Sequence, residues 1–345
     1  PFNVKYLDCG TYNNVSPKRF FHNVSFACKL FSFLKNKNNS KSIVIVAFPF
    51  FSTLFSLALL RKSFFEIFVD IQDLWPDTLI ATGMLNNSRI LKVVGSLAGF
   101  VYKKATNLVV LSDGFKNKLI ERDVDPTKIS VIYNWADERY IKAFDLKSQP
   151  STLDKNTFNL LYAGNLGKAQ DLQVLVNAAE LLKKNTDIKI TLMGNGQEKK
   201  FLNKLIIEKQ LTNITIEESV PVTQVSLYLL KADALFIHLK RDPLFEITIP
   251  GKTQAYLASG KPVLMAVEGN ASEIITKSKS GIVVEPSNPR SIADGILEMA
   301  EMEASSLRKL GENGRDFYIK NMSLNSGVEK FSKIFNLIED KNQLV

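Results

Sequence analysis

The sequence predicts an α/β protein with two domains, each built on a parallel sheet that helices cover on both faces. Ten short apolar runs, rich in Val, Ile and Leu and almost free of charge, are typical of buried parallel strands. Amphipathic helical patterns separate these runs, and strands that alternate with helices indicate parallel sheets. The length of 345 residues supports two domains, because single domains cluster near ~100–200 residues.

The ten predicted strands fall into two groups, four in the first half of the chain and six in the second. They span residues 43–48, 67–71, 108–111 and 131–133, then 160–162, 188–193, 214–216, 234–239, 263–267 and 282–284. The segments between them follow helical spacing. Leu172, Leu175 and Ala179, for example, share one face of a predicted helix.

A polar stretch at residues 147–157, which contains Pro and lacks periodicity, predicts the domain boundary. We therefore expect an N-terminal domain at 1–150, a second domain at 151–325 and a final helix at 326–345. Open parallel sheets bind ligands beyond the carboxyl ends of their strands, so the cleft between the two domains is the expected site.

Residues 43–60 carry no charge, and a stretch of ~18 apolar residues is the minimum for a membrane helix. Val and Ile dominate before Pro49, and Ser52 then begins a helical run, so a strand followed by a helix is the better interpretation. The chain begins at Pro1 without a charged-then-apolar leader. We therefore expect no signal peptide and a true N-terminus further upstream.

The net charge of +9 lies almost wholly in the first third of the chain. Residues 1–104 carry 13 Lys and Arg against 5 Asp and Glu, whereas residues 151–345 carry 24 against 23. A basic surface rich in Phe could face anionic lipid, nucleic acid or a phosphorylated ligand, or be an ordinary solvated surface. Nucleic-acid binding is disfavoured, because it would explain nothing in the second half.

The few Cys and His residues argue against a disulfide framework and a metal centre. Two Cys in a chain of 345 residues fit a reducing compartment. His22 and His238 have no Cys or His partners at the spacing that zinc sites use. We therefore expect neither a metal nor another cofactor.

Two glycine-containing loops follow predicted strands of the second half. Gly164, Asn165 and Lys168 lie between a strand and a helix, and Gly194 and Gly196 end the next strand. Glycine lets backbone amides approach a ligand closely, and a helix N-terminus favours anionic groups. Such loops can do no more than turn the chain, but two at one edge of a sheet favour an anion site.

Residues 238–260 form the strongest candidate segment. His238 follows a strand, and the Pro-containing loop after it carries Glu246. A helix then begins near Lys252 and ends at Gly260, so Lys252 and the amides of the first turn could hold a diphosphate. Glu246 suits sugar or ribose hydroxyls. The alternatives are a structural imidazole at His238 and a surface carboxylate at Glu246.

A strand end in the first half carries Asp70, Asp73 and Trp75. The Trp-Pro pair there is a flat apolar platform of the kind that stacks on sugar rings. Asp73 could do acid–base work, although carboxylates that follow a strand are often only helix caps. The segment Ser112-Asp113-Gly114 is a candidate for such a cap.

Seven segments between about residues 68 and 286 occur in an order that one family shares. They are DLWPD, VVLSDGF, VIYNWAD, YAGNLGKAQ, MGNG, HLKRDPLFE and IPGKTQAYLASGKPV. Together they resemble glycosyltransferase family 4, and within it the bacterial O-antigen and capsule enzymes of the L-fucosamine transferase type.

The resemblance implies a GT-B fold, in which two Rossmann-like domains face each other across a cleft and the C-terminal helix crosses back to the first domain. It also implies a nucleotide-sugar donor, UDP rather than GDP, and transfer with retention of configuration and without a metal. The residues carried over by position are Gly164, Asn165, Lys168 and Lys252 near the donor diphosphate, Gly194 and Gly196 near the nucleotide, and His238 and Glu246 near the transferred sugar.

Three departures from the family pattern bear on this site. An Arg and a Lys of the first diphosphate loop are replaced by Asn165 and Gln170, which leaves Lys168 or Lys252 as the cation. The second Glu of the family falls on Ala255, and Gln254 beside it is the expected ribose contact. The first strand and its glycine-rich loop would precede residue 1.

The sequence therefore predicts a retaining glycosyltransferase that acts on polyprenyl-diphosphate-linked saccharides in surface polysaccharide synthesis. Asp73 is the expected acceptor-positioning group or base, with Trp75 on the acceptor side. We expect the enzyme in the cytoplasm, on the inner face of the plasma membrane, where its basic first third would meet anionic lipid. The alternatives are a nucleotide-sugar 2-epimerase and a non-catalytic sugar-nucleotide-binding protein of a membrane assembly.

Overall fold

The computed structural model describes residues 42–47, 65–141 and 157–342, together with residues 25, 26, 28, 29 and 32. Contacts between residues divide the chain into two compact units, Pro1–Val131 and Ile132–Val345. Each unit contains a parallel sheet and helices, as the sequence predicts. The predicted boundary at residues 147–157 lies almost wholly outside the described residues and stays a prediction.

The first unit contains a parallel sheet of four strands, which are neighbours in the order in which they occur along the chain. They are β1 (Ser42–Ala47), β2 (Phe65–Ile71), β3 (Asn107–Val110) and β4 (Ile129–Val131). The register places Val69 opposite Leu108 and Val109 opposite Ser130. The four strands predicted for this half are confirmed, although β4 lies two residues earlier than predicted.

The helices described in this unit are α1 (Asp77–Ala81), α2 (Ser88–Lys104) and α3 (Asp113–Ile120), with a 3-10 turn at Pro126–Lys128. Asn87 caps α2, because its side-chain oxygen accepts from the amides of Arg89 at 3.0 Å and Ile90 at 3.3 Å. The Ser112 hydroxyl caps α3 by accepting from the Phe115 amide at 3.1 Å. The cap predicted for the segment 112–114 is therefore confirmed, and its capping side chain is that of Ser112.

The second unit contains a parallel sheet of six strands in the order β10-β9-β8-β5-β6-β7. They are β5 (Phe158–Ala163), β6 (Ile188–Met193), β7 (Ile214–Glu217), β8 (Ala234–His238), β9 (Val263–Ala266) and β10 (Gly281–Val283). All six were predicted. The strand order changes direction between β5 and β8, and open sheets bind ligands at the carboxyl ends beside such a change.

The helices described in the second unit precede, separate and follow these strands. They are α4 (Glu138–Ile141), α5 (Gln173–Leu181), α6 (Lys199–Glu208), α7 (Val222–Lys231), α8 (Pro243–Glu246), α9 (Lys252–Ser259), α10 (Asn270–Ser278), α11 (Pro289–Ala300), α12 (Ala304–Asn321) and α13 (Leu324–Asn342). One core joins β5 and β6 to α5 and α11, with Leu175, Ile190 and Ile292 almost fully buried. This core fixes the strand ends that carry the candidate site.

The apolar stretch at residues 43–60 begins with a strand, as predicted, because β1 pairs with β2. The helical run predicted from Ser52 lies outside the described residues. Within the described ranges, no helix is both long enough and apolar enough to cross a bilayer.

A group of hydrogen bonds joins the start of the second unit to its last two helices. Oε1 of Glu138 accepts from the amide of Leu324 at 2.8 Å and from the hydroxyl of Tyr318 at 2.9 Å. The same hydroxyl accepts from the amide of Ala136 at 3.2 Å. Helix α13 occupies most of the predicted final helix. Its crossing to the first unit stays a prediction.

Candidate active site

The loops after β5 and β6 are joined at the carboxyl edge of the second unit's sheet. The amide of Gly164 donates to the carbonyl of Met193 at 2.9 Å, and the amide of Leu166 donates to that of Asn195 at 2.8 Å. The loop after β8 is tied to the same place, because the amide of Lys240 donates to the carbonyl of Ala169 at 3.0 Å. The predicted donor residues therefore lie on loops that support one another.

Two of the predicted glycines are explained by contacts between these loops. A Cβ at Gly194 would lie 1.8 Å from the carbonyl oxygen of Gly164, and a Cβ at Gly196 would lie 2.2 Å from that of Leu166. No side chain fits at either position, so packing alone requires glycine. A nucleotide contact at Gly194 and Gly196 stays a prediction.

Lys252 occupies the first position of α9, as predicted, next to the N-cap Gly251. Its Nζ lies 3.8 Å from the centroid of the Tyr162 ring, and a Cβ at Gly164 would be 3.2 Å from the same atom. In the part of the chain that the structure describes, Lys252 has no carboxylate partner. Burial lowers the pKa of the Lys252 ammonium to about 7.

This arrangement can bind an anion. The first amides of an α-helix lack partners within the helix and carry partial positive charge. At the start of α9 the amide of Thr253 donates to the carbonyl of Pro250 at 2.8 Å, and the buried Lys252 amine lies beside Gly164, where a Cβ would come within 3.2 Å of it. A phosphate there would replace the hydration that the Lys252 ammonium loses on burial.

Two Tyr side chains that were not among the predicted site residues support the end of β5 and the start of α9. The Tyr162 hydroxyl donates to the carbonyl of Asn165 at 2.6 Å while its ring faces the Lys252 amine. The Tyr256 hydroxyl accepts from the amide of Ala163 at 2.8 Å. A Tyr at the end of a strand, just before a glycine loop, was the available signal at Tyr162.

The other residues predicted on the first loop are exposed. Asn165 Nδ2 donates to Oε1 of Gln170 at 3.2 Å, so the two positions that depart from the family pattern contact each other. Lys168 is exposed on the same loop and forms no ion pair among the described residues. The amine closest to Gly164 is that of Lys252, not that of Lys168.

The predicted sugar and ribose contacts differ in exposure. Glu246 is exposed at the end of α8, which Asp242 caps by accepting from the amide of Leu244 at 2.9 Å. Gln254 is buried, and its amide nitrogen, when it faces the preceding loop, reaches the carbonyl of Gly251 at 2.8 Å. Gln254 thus braces the entry to α9, and a ribose contact stays a prediction.

His238 is 1% exposed at the end of β8. Its Nδ1 lies 2.7 Å from the carbonyl oxygen of Gln170, and its Nε2 accepts from the amide of Ser287 at 3.0 Å. The ring is stacked on Phe236 with a centroid distance of 6.1 Å. Burial lowers the pKa of His238 below its ordinary value. Both nitrogens are thus occupied by the backbone, and contact with the sugar stays a prediction.

Ion pairs between side chains also hold the loop after β8. Arg241 is paired with Glu268 at 3.3 Å and with Glu285, which follow β9 and β10. Nδ2 of Asn288 donates to the second carboxylate at 2.6 Å. These exposed pairs connect the loop that leads to Glu246 with the segments that follow β9 and β10.

The first unit holds the predicted acceptor-side residues. Asp73 is half-buried, and burial raises the pKa of its carboxyl above the ordinary value. It forms no hydrogen bond or ion pair with the described residues. Asp70, by contrast, accepts from Nε2 of Gln72 at 2.7 Å. Asp73 therefore presents a carboxylate that a substrate hydroxyl could use.

Trp75 lies in a segment that neighbouring helices hold firmly. Its carbonyl oxygen accepts from Nη1 of Arg122 at 3.0 Å and from the Tyr102 hydroxyl at 3.4 Å, and Arg122 is also paired with Asp77.

No group of three His, Cys, Asp or Glu residues suited to a metal ion is found in the described ranges. The expectation of metal independence stays a prediction.

Comparison with known proteins gives the family. A sequence model described as glycosyl transferases group 1 matches residues 143–317, just over half of the chain. The probable glycosyltransferase WbjE of Pseudomonas aeruginosa is 26% identical over 270 residues, 76% of this chain and 66% of WbjE. WcaI of Escherichia coli, described provisionally as a colanic acid biosynthesis glycosyl transferase, is 25% identical over 81% of this chain and 71% of its own.

Another relative, the uncharacterized glycosyltransferase MJ1069 of Methanocaldococcus jannaschii, is 26% identical over 71% of this chain. The chain spans 61% of MJ1069 and, as stated, 66% of WbjE, so it covers slightly less than two thirds of these relatives.

Solved structures agree on the fold. A glycosyltransferase from Rickettsia africae aligns with a TM-score of 0.67 at 22% identity, covering 95% of this chain and 84% of its own. Anabaena HepE, solved in complex with UDP, aligns with a TM-score of 0.70 at 14% identity, covering 91% and 82%. With its α/β units, its parallel sheets and the sequence match across the second unit, the chain belongs to the group 1 glycosyltransferases and has the GT-B fold.

Proposed function

We propose that the chain is a family 4 glycosyltransferase that transfers a sugar, with retention and without a metal, from a UDP-sugar to a lipid-linked saccharide. The observation that carries the proposal is Lys252, a buried amine at the start of α9 with no carboxylate partner among the described residues. The UDP complex of HepE and the name of WcaI support the donor and the polysaccharide context by similarity.

In this proposal the donor site stabilises the nucleoside diphosphate that leaves when the sugar is transferred. Negative charge grows on the phosphate oxygens as the bond to the sugar breaks. The Lys252 amine, charged once the donor diphosphate is bound, and the positive end of the α9 dipole lie at that place before the bond breaks. Lys168, exposed on the neighbouring loop, adds a second cation. This electrostatic preorganisation needs no metal.

For the acceptor we propose that Asp73 orients or deprotonates the attacking hydroxyl. Its half-buried carboxyl is unengaged in the described part of the chain, and general-base groups contribute roughly 10²–10⁴-fold to a rate. Asp73→Asn should therefore lower kcat strongly and leave UDP binding unchanged. Asp113→Asn, an exposed change in α3, serves as the control.

The deciding experiment is a screen of nucleotide sugars against polyprenyl-diphosphate-linked saccharides, with the products identified by mass. We expect one donor to be transferred and Lys252→Ala to lose that turnover, whereas exposed Lys277→Ala should retain it. Unchanged turnover in Lys252→Ala would refute the diphosphate assignment. Conversion of a donor without any acceptor would indicate an epimerase, and binding without transfer a non-catalytic protein.

A further inference from the structure

The hydrogen bonds of His238 define its tautomer. The backbone amide of Ser287 can only donate, so Nε2, which lies 3.0 Å from it, must be unprotonated. The carbonyl of Gln170 can only accept, so Nδ1 at 2.7 Å must carry the proton. The two backbone partners thus require a neutral imidazole with its proton on Nδ1.

Both partners of His238 lie in turns with unfavourable backbone angles. Ser287 has a φ of 56°, and Asp171, which directly follows Gln170, has a φ of 40°. Residues other than glycine rarely adopt positive φ, and they keep it only where surrounding contacts hold the chain. His238 supplies such a contact to each turn from the interior of the unit.

One of the two turns belongs to a loop of the candidate donor site, and the other is connected to such a loop by an ion pair. Gln170 lies on the loop that carries Gly164 and Asn165, and it contacts the latter directly. Ser287 lies on the loop after β10, whose Glu285 pairs with Arg241 on the loop after β8. A ring at the end of β8 therefore connects the loops that follow β5 and β10.

We propose that His238 is a positioning residue that, as the neutral Nδ1–H tautomer, holds these two turns in the form that binds the donor diphosphate. The inference rests on the proposed function and differs from the sequence expectation, because the imidazole acts through the backbone and does not touch the sugar.

Acid should release this contact. The charged groups that face the ring are Asp171, from the loop after β5, and Lys252, from α9, and they act in opposite directions. Burial has the larger effect and lowers the pKa of His238. If Nε2 were protonated, its N–H group would face the N–H group of Ser287, and neither could accept. The turn after β10 would then lose its hydrogen bond to His238.

The tautomer can be measured in the free protein. The chain has two His residues, so ¹⁵N-histidine labelling gives two ring systems, and a His22→Gln variant identifies the signals of His238. We expect the chemical shifts of a neutral ring protonated on Nδ1, and protonation only below the ordinary pH range of a free histidine. A ring protonated on Nε2, or one that titrates like a free histidine, would overturn the proposal.

Two variants separate positioning from general stability. The amide oxygen of His238→Gln can reach the place of Nε2 and accept from Ser287, whereas the amide nitrogen of His238→Asn can reach only the place of Nδ1. We expect hydrogen exchange of the Ser287 amide to accelerate in His238→Asn and to remain slow in His238→Gln. Equal exchange in wild type and His238→Asn would contradict the proposal.

UDP is the binding probe. We expect His238→Asn to bind UDP roughly tenfold more weakly than wild type, with His238→Gln recovering most of the affinity. If wild type binds UDP and His238→Asn binds it equally well, the positioning role is wrong while the proposed function stands. If wild type itself fails to bind UDP, the proposed donor is wrong, and the role of His238 at a UDP site falls with it.

Discussion

At the scale of single residues, the buried Lys252 makes the stability of the protein depend on pH above neutrality. Its pKa falls from 10.5 in the unfolded chain to about 7 in the folded protein, because burial disfavours the ammonium. Between these values the unfolded chain binds more protons, so through this group the free energy of unfolding rises with pH from about 7 to 10.5. Below about pH 7 the folded protein bears the whole cost of a buried charge.

UDP binding should therefore take up a proton at pH 8. The Lys252 amine is mostly neutral there in the free protein, and a bound diphosphate would restore its charge. Calorimetry in buffers of different ionisation enthalpy should show an uptake of about 1 proton per UDP. Lys252→Met should abolish the uptake and exposed Lys277→Met should not. An uptake that persists in Lys252→Met would assign the proton to another group.

The sequence was sufficient to place Lys252 at the start of a helix. It revealed neither the hydrogen bonds of His238 nor the contact between Tyr162 and Lys252. A helix start after Pro and Gly is a local pattern, and the structure places Lys252 at that start. The partners of His238, Gln170 and Ser287, are 68 and 49 residues away, so no local pattern reveals that both ring nitrogens are occupied. Tyr162 likewise acquires its role only when α9 brings the Lys252 amine to its ring.

At the scale of elements, the contact between the loops after β5 and β6 is the most sensitive to substitution. Gly194→Ala would place a Cβ 1.8 Å from the carbonyl oxygen of Gly164, and neither backbone can move without disturbing β5 and β6. We expect urea unfolding to show a loss of about 1–3 kcal/mol. UDP binding should weaken as well, because the loops carry the candidate site.

Gly251→Ala is the matched control. A Cβ there meets no atom within 4 Å, and the φ of −58° suits any residue. We expect its free energy of unfolding to stay within about 0.5 kcal/mol of wild type. If Gly194→Ala were equally harmless, the loops would have to separate more easily than the structure indicates.

Tyr318 tests the connection between the start of the second unit and α12. Tyr318→Phe removes a hydroxyl that donates to Glu138 and accepts from the amide of Ala136. Its loss should lower the free energy of unfolding by about 1–2 kcal/mol in urea. Tyr228→Phe in α7, whose hydroxyl has no hydrogen bond among the described residues, should change it little.

The elements themselves were predictable because their signals are local. All ten strands were predicted, since each is a short apolar run that is followed within a few residues by a polar residue, a glycine or a proline. The contacts between loops were not predictable. Gly194 and Gly196 have carbonyl neighbours from another loop, and the sequence does not show which neighbour requires a glycine. Their expected contact with a nucleotide stays a prediction.

At the scale of the whole molecule, the net charge of +9 and its location are open to a direct test. Lys18, Arg19, Arg61 and Lys62 lie outside the described residues, but they belong to the basic first third. We expect their joint replacement by Gln to reduce binding to liposomes that contain anionic lipid, because each basic residue near such a surface contributes about 1 kcal/mol.

Neutral liposomes and a fourfold Gln variant of exposed lysines in the second unit provide the controls for this measurement. The control lysines are Lys200, Lys204, Lys277 and Lys309. Equal loss in both variants would mean that total charge, and not its location, governs binding. Unchanged binding in the first variant would make the basic residues an ordinary solvated surface.

The hydrogen bonds around Tyr318 also bear on where a recombinant fragment of the second unit should begin and end. The family match ends at residue 317 and begins at residue 143, so Tyr318, Ala136 and Glu138 all fall just outside it. A recombinant fragment trimmed to the homology limits would lose every hydrogen bond of this group. An autonomous fragment of the second unit should instead begin before Ala136 and extend through α13.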